Sequence, residues 1–252
     1  MKHLVYFLII FLFVQCRNVH DRGGVVFTFD DQSVDEWVNH RGLFESYNIR
    51  ATFFISHPKT LDSMMINGLQ LLASDGHEIA CHGLHHVSVL NFADSPDVYL
   101  KKEVLPAVNI LEGFGFDIRS FAYPFGESTP QADSLLLGHF EYLRKATWNM
   151  DDTTIDAYDD IFVNEHSYKV MNSMGIDYNY RISLENLETG IRRARRNNEV
   201  LVLHAHKIDT IPEDYIIHPD YLEQAFQLIN KYNIASLRVK DIAGFFEHAI
   251  DP

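Results

Sequence analysis

An α/β domain on a mostly parallel sheet, open or closed into a barrel, is the fold class that this 252-residue sequence predicts. Three observations carry that expectation. Short apolar runs alternate with longer amphipathic stretches, the rhythm of strands joined by crossover helices. The chain is 46% hydrophobic and 13% aromatic, enough for one sizeable core at a length ordinary for a single α/β barrel. The apolar runs also end repeatedly in reactive polar side chains, as strands do where a parallel barrel opens its carboxyl face.

The rhythm begins at residues 25–29, VVFTF, a β-branched and aromatic run that reads as a buried strand. A helix is expected near 33–47, then ATFFI at 51–55, a helix near 58–75 and EIACHG at 78–83. Next come a helix near 96–114, SFAYPFG at 120–126, a helix near 130–140 and YLRKATW at 142–148. The series closes with a helix near 183–198, VLVLHAH at 200–206, a helix near 219–232, IASLRV at 234–239 and a helix near 239–249. That makes seven strand–helix repeats, one short of an eight-stranded barrel. Residues 149–180 are rich in Asp, Asn and Tyr and break the rhythm, so they read as a long loop excursion of the kind that often carries function. No Pro-, Gly- or Ser-rich linker interrupts the chain, and residues 17–252 are expected to form one catalytic domain.

Residues 1–16, MKHLVYFLIIFLFVQC, have a basic start and an apolar run from Leu4 to Val14. A spanning helix needs about 20 residues, so the run suits the core of a signal peptide better than a membrane span. An uncleaved anchor and a cleavage elsewhere are the other readings. Cys16 closes the run as in the processing box of bacterial lipoproteins, although Phe13, Val14 and Gln15 are bulkier than that box prefers. The expectation is an exported protein of the bacterial cell envelope, lipid-anchored at Cys16, or else periplasmic or secreted. With Cys16 lipidated, only Cys81 remains and the mature chain has no disulfide. The 21 Lys and Arg against 35 Asp and Glu give a formal charge of -14, which argues against a nucleic-acid partner.

The polar strand ends converge on one mouth. Asp30 and Asp31 close the first strand side by side, and two adjacent carboxylates repel unless a cation or a proton lies with them. In HEIACHGLHHVSV, His82 and His86 are four apart; on a helical turn they share a face and present two imidazoles to one ion, while His85 points elsewhere. Two His and one Asp make a three-donor site for a divalent metal with a position left open. His204 and His206, two apart on a late strand, face the same side.

TFDDQ, HGLHH, AYPFG and VLHAH, in that order from Thr28 to His206, resemble the polysaccharide deacetylases, carbohydrate esterase family four. The resemblance implies a distorted (β/α) barrel, commonly of seven strands, with its active site at their carboxyl ends. It implies Asp30 as catalytic base and Asp31, His82 and His86 as ligands of one divalent metal, zinc foremost, with cobalt, nickel or iron accepted. It places the general acid at the late histidine, where His206 suits the family pattern better than His204. It assigns a backbone N–H of AYPFG, that of Phe125, to the oxyanion, and adds Tyr123 and Trp148 as substrate-binding candidates. The implied activity is hydrolysis of acetyl groups from N-acetylated sugars of a polysaccharide or cell-wall glycan. The alternatives are an O-acetyl esterase or other non-peptide C–N hydrolase, and an inactive carbohydrate-binding member.

The sequence departs from the family pattern in two places. Ala122 stands where the family has an arginine that orients the catalytic Asp; Arg119 lies three residues earlier, and Asp30 is expected to lose a charge partner. Trp148, Asp151 and Asp152 lie near the family's Asp and Trp motif with the wrong spacing, and Trp148 also reads simply as a strand-ending core residue. Three further features read as structural. RRARR at 192–196 reads as a solvated helix face, His57 as a loop histidine near the mouth, and Cys81 as a buried thiol.

Overall fold

The computed structural model describes residues 23–148 and 153–250, with side chains as far as Glu247. The expected leader with Cys16, together with Asp151 and Asp152, lies outside the described residues. Among the described residues seven parallel strands close a barrel: β1 Gly24–Asp31, β2 Ala51–Ile55, β3 Glu78–Cys81, β4 Ser120–Ala122, β5 Tyr142–Thr147, β6 Val170–Gly175 and β7 Val200–Ala205. Neighbours pair in chain order. Closure comes from β7 returning to β1, with Gly24 opposite Val200 and Phe29 opposite Ala205.

The strand count agrees with expectation, but one member differs. Val170–Gly175 lies inside the stretch read as loop, because VMNSMG lacks a β-branched run and carries Asn172 and Ser173 in its middle. Those polar groups are bonded locally: Asn172 to the Asp160 carboxylate, and the Ser173 hydroxyl to the Lys145 carbonyl. Ala235–Leu237, expected as a seventh barrel strand, pairs only with Gly24 to Val26 on β1. From Phe27 onward β2 takes over that edge, so the last strand is an accessory at the amino end of the barrel.

Side chains of a strand alternate between faces, and here the alternation sorts two cores. Phe27, Phe29, Phe53, Phe121, Leu143 and Leu203 belong to the larger cluster, where the sheet meets the helices. Val26, Phe54, Ala80, Ala122, Val200 and Val202 form the smaller one together with Val239, Ile242 and Phe246 from the C-terminal segment. Glu78 anchors that segment: its buried carboxyl accepts from Thr52 Oγ1 at 2.9 Å, Ser120 Oγ at 2.7 Å and the Lys240 backbone N–H at 3.0 Å. The amino end of the barrel is thereby closed. Continuing the same alternation toward the carboxyl end, Asp30, His82, Arg144 and His204 fall on the inner face.

The helices follow their caps. Leu184–Asn197 starts where the Ser183 hydroxyl accepts from Asn186 N–H and stops at Asn198 in the left-handed region; Pro219–Tyr232 ends the same way at Asn233. In the basic run on the first of these, Arg192 and Arg196 are exposed, while Arg193 bonds Glu199 and Asp159 and its guanidinium lies 4.0 Å from the Phe162 ring centre. None of the described helices is long and apolar enough to cross a membrane.

Gly175 ends β6 opposite His204, and a Cβ there would lie 2.2 Å from the Tyr180 ring. Gly175→Ala is expected to destabilise the fold by about 1–3 kcal/mol through overpacking, seen as a lower midpoint in denaturant unfolding.

Candidate active site

Tight packing of the barrel interior ends at its carboxyl face in a cavity of about 220 Å³. Every residue proposed from the sequence for the site borders it: Asp30, Asp31, His82, His86, Tyr123, Phe125, Trp148, His204 and His206. They arrive from β1, β3, β4, β5 and β7 or from the turns just beyond them.

Asp30 is buried at the centre, and Arg144 Nη2 donates to both of its carboxylate oxygens. Burial alone would raise the Asp30 pKa, but the Arg144 guanidinium, with His82, His206 and His204 around it, holds it well below the usual carboxylate range. The expectation that Asp30 lacks a charge partner is therefore overturned. Arg144 sits on β5 in register with Ala122 on β4, so the neighbouring strand supplies the guanidinium that Ala122 cannot. Arg119 stays at the surface with Asp117 and Glu141.

Asp31 leaves the strand with φ 78, a left-handed turn that puts consecutive carboxylates in different surroundings. Its Oδ1 lies 3.9 Å from His82 Nε2 and 3.5 Å from His86 Nε2, and the three donor atoms fall within 4.8 Å of one another. The donor set suits a divalent ion. His82 Nδ1 lies 2.8 Å from the Ala122 carbonyl, which only accepts, so Nδ1 carries the hydrogen and Nε2 offers its lone pair. That is the second partner a metal-bound imidazole ordinarily has. Burial draws His82 down to about 4 and lowers His86 as well, keeping both neutral at pH 7 in the form that binds metal. The two histidines are not on a helical turn as the spacing suggested. His82 follows β3, Gly83 has φ 86 and His86 φ 52, and this reversing loop brings the rings to 4.9 Å. His85 turns away to bond Glu103 at 2.8 Å, and Cys81 is a buried thiol pushed up to about 12.

The late histidines have separate surroundings. The Ser173 hydroxyl donates to the Lys145 carbonyl and therefore accepts from His204 Nδ1–H at 2.9 Å, leaving His204 Nε2 to accept from Tyr180 O–H at 3.0 Å. Both nitrogens are occupied, and burial holds the ring neutral. His206 Nδ1 bonds the buried Asp177 carboxylate at 2.7 Å, while its backbone N–H meets the other Asp177 oxygen at 3.0 Å. Burial opposes protonation of His206, but Asp177, with Asp30 and Asp31, outweighs it and raises the pKa. Trp37 fixes the same residue from behind, its indole N–H donating to the His206 carbonyl at 2.8 Å.

Aromatic rings wall the cavity. Phe125, held at φ 63, is exposed and lies 4.7 Å from the His86 ring, while Trp148, also exposed, stacks on Tyr180 at 5.3 Å. Trp148 is thus not a strand-ending core residue. Tyr123 differs, because its ring packs with Phe121 in the outer core. His57 lies 6.2 Å from His86 by ring centres and outside the residues lining the cavity. Sequence reasoning missed Arg144, Ser173, Asp177, Tyr180 and Tyr215. An arginine inside the strand-like YLRKATW was a usable signal, since a charge in a buried strand requires a partner. The others lie in or beyond the stretch read as loop.

Residues 17–137 match the polysaccharide deacetylase family profile. No curated protein matches the chain by sequence. Among solved structures it resembles the family-four esterase domain of a multidomain xylanase from the hindgut metagenome of Trinervitermes trinervoides, at TM-score 0.57 and 15% identity over 92% of this chain and 93% of that one. It resembles the catalytic domain of the peptidoglycan N-acetylglucosamine deacetylase of Eubacterium rectale at TM-score 0.52 and 17% identity, covering 85% and 88% of the two chains. It also resembles a family-four acetyl xylan esterase of Clostridium thermocellum bound to cobalt, at TM-score 0.54 and 16% identity over 87% and 89%. At these identities the likenesses establish the barrel.

Because both partners are buried, Arg144→Leu strands the Asp30 carboxylate and should cost about 3–5 kcal/mol in urea unfolding. Recovery of most of that loss in the double variant with Asp30→Asn would show that the stranded charge is the cause.

Proposed function

From the match of residues 17–137 to the polysaccharide deacetylase profile and from the barrel mouth, we propose that this chain removes acetyl groups from N-acetylated sugars of a polysaccharide or cell-wall glycan. The observation that carries the reading is a division of labour among carboxylates. Asp31 joins two neutral imidazoles in a three-donor set, while Asp30 stands next to that set with its own partner, Arg144. A binding surface has no use for a second, separately held carboxylate.

Asp31, His82 and His86 would hold one divalent ion, zinc by the two-nitrogen, one-oxygen donor set, with cobalt, nickel and iron as further candidates. When bound, such an ion acts as a Lewis acid, polarising the acetyl carbonyl and making a water easier to deprotonate. Asp30, always ionised, receives the proton as that water attacks the carbonyl carbon. Arg144 holds the Asp30 carboxylate ionised and in place to take that proton. The backbone N–H of Phe125, in a turn fixed at φ 63, faces the developing oxyanion in this reading. His206, protonated and held by Asp177, passes its Nε2 proton to the departing amine as the C–N bond breaks. His204, with both nitrogens engaged, holds the wall of the site. Export, with lipid attachment at Cys16, belongs to the same proposal and rests on the apolar run that Cys16 closes.

Acetate release from N-acetylglucosamine oligomers and from acetylated xylan tests the reading. Metal-loaded protein is expected to act on the oligomers, and Asp30→Asn to slow it by about a hundred- to ten-thousandfold, the usual contribution of a general base. Release from xylan alone would make it an esterase; no release from either would contradict the proposal. Exchange of His82 or His86 for Gln is expected to abolish stoichiometric metal uptake, measured by elemental analysis.

The pH profile tests the acid. His206 acts protonated and its pKa lies above the ordinary value, so kcat should fall as pH rises through that raised pKa. Asp177→Asn removes the main raising contribution. Its alkaline limb should therefore move to lower pH, and an unmoved limb would exclude His206 as the acid.

A further inference from the structure

Tyr215 stands out at the mouth. It has φ 60, a left-handed backbone that a bulky residue adopts only under constraint. The constraint is visible: its N–H donates to Asn179 Oδ1 at 2.9 Å, its carbonyl accepts from Lys207 N–H at 3.2 Å, and Ile216–Ile217 pairs directly after it with Lys207–Ile208. The strain fixes an aromatic ring that the fold does not need. The residue is 49% exposed. The ring lines the catalytic cavity and lies 5.0 Å from the His206 ring at 74°.

Its chain neighbours look the other way. Asp214 and Ile216 line a second cavity of about 930 Å³, bounded also by Asp177 and Arg181. The catalytic cavity, at about 220 Å³, is smaller than the roughly 300–1,000 Å³ usual for ligand sites, whereas the second is at the top of that range. Tyr215 lines the first cavity, and the residues on either side of it in the chain line the second.

We propose that Tyr215 is a specificity-determining residue: its ring supports the sugar unit next to the reacting one and leads the glycan from the catalytic cavity into the second. A pyranose has an apolar C–H face that an exposed aromatic ring can cover, and a ring already fixed loses little freedom on binding. The favoured substrate is therefore an oligomer or polymer of N-acetylated sugar, and a single sugar leaves this platform unused. The inference rests on the proposed function for its substrate, and its test separates the two.

The informative substitution is Tyr215→Asn, because Asn tolerates the left-handed backbone while removing the ring; Tyr215→Phe keeps the ring. In Tyr215→Asn, KM for the N-acetylglucosamine pentamer is expected to rise about five- to tenfold, the range of one lost aromatic contact, with a smaller change for the monomer. The thermal midpoint should hold or rise, and Tyr215→Phe should keep the parent KM. Calorimetric titration of the pentamer into Asp30→Asn protein, with and without Tyr215→Asn, gives the same comparison independently of turnover. Weakened pentamer binding without any acetate release would sustain the platform while sinking the deacetylase reading. An unchanged KM and affinity, an equal loss for monomer and pentamer, or no pentamer binding at all would each overturn it.

Discussion

The buried pair of Asp30 and Arg144 is the interaction on which the site depends. A carboxylate and a guanidinium, each almost wholly removed from water, are tolerable only when they face each other with good geometry. Their strands, β1 and β5, lie across the closed barrel, so the pair forms only when all the intervening strands are in register. Arg144 also lies 5.1 Å from the Phe54 ring, which closes its apolar side. Once the pair is set, Asp30 is permanently ionised and spatially fixed. The positive charge beside it lets a second carboxylate, Asp31, occupy the next position without prohibitive repulsion.

Around that pair, hydrogen-bond partners set the state of each histidine. His82 is fixed by a carbonyl, which leaves one nitrogen lone pair facing Asp31. His204 is closed by a serine and a tyrosine, and the Asp177 carboxylate raises the pKa of His206. Four imidazoles within one small cavity thus have different surroundings: two face Asp31 with lowered pKa values, one has both nitrogens engaged, and one has a raised pKa. Residue type alone predicts none of these differences. They follow from whether the atom opposite each nitrogen donates or accepts.

The backbone contributes through constrained turns at strand ends. Asp31, His86, Phe125 and Tyr215 all have positive φ and all border the cavity. Asp31, His86 and Phe125 lie at or just beyond barrel strand ends, and Tyr215 directly precedes the short strand Ile216–Ile217. The rigidity of the barrel below makes such conformations sustainable, and the C-terminal segment bound to Glu78 supplies part of that rigidity by closing the far end.

Much was determined by the sequence alone. Strand–helix alternation, apolar runs ending in Asp30–Asp31, His82 and His204–His206, and the ordered motifs sufficed for the resemblance to the polysaccharide deacetylases, the barrel and most of the residues at its mouth. These are local signals, readable because side chains alternate with a period of two and because strand ends in a parallel barrel share one face. Only the tertiary structure decided the rest. It found β6 in a stretch whose polar residues hid it, and moved the last strand outside the barrel. It supplied Arg144 for the arginine missing at Ala122, through a register that pairs residues 22 positions apart. It brought Asp177 to His206 across 29 residues. Pairings of this kind depend on which strands become neighbours, a property of the closed sheet that no window of sequence contains.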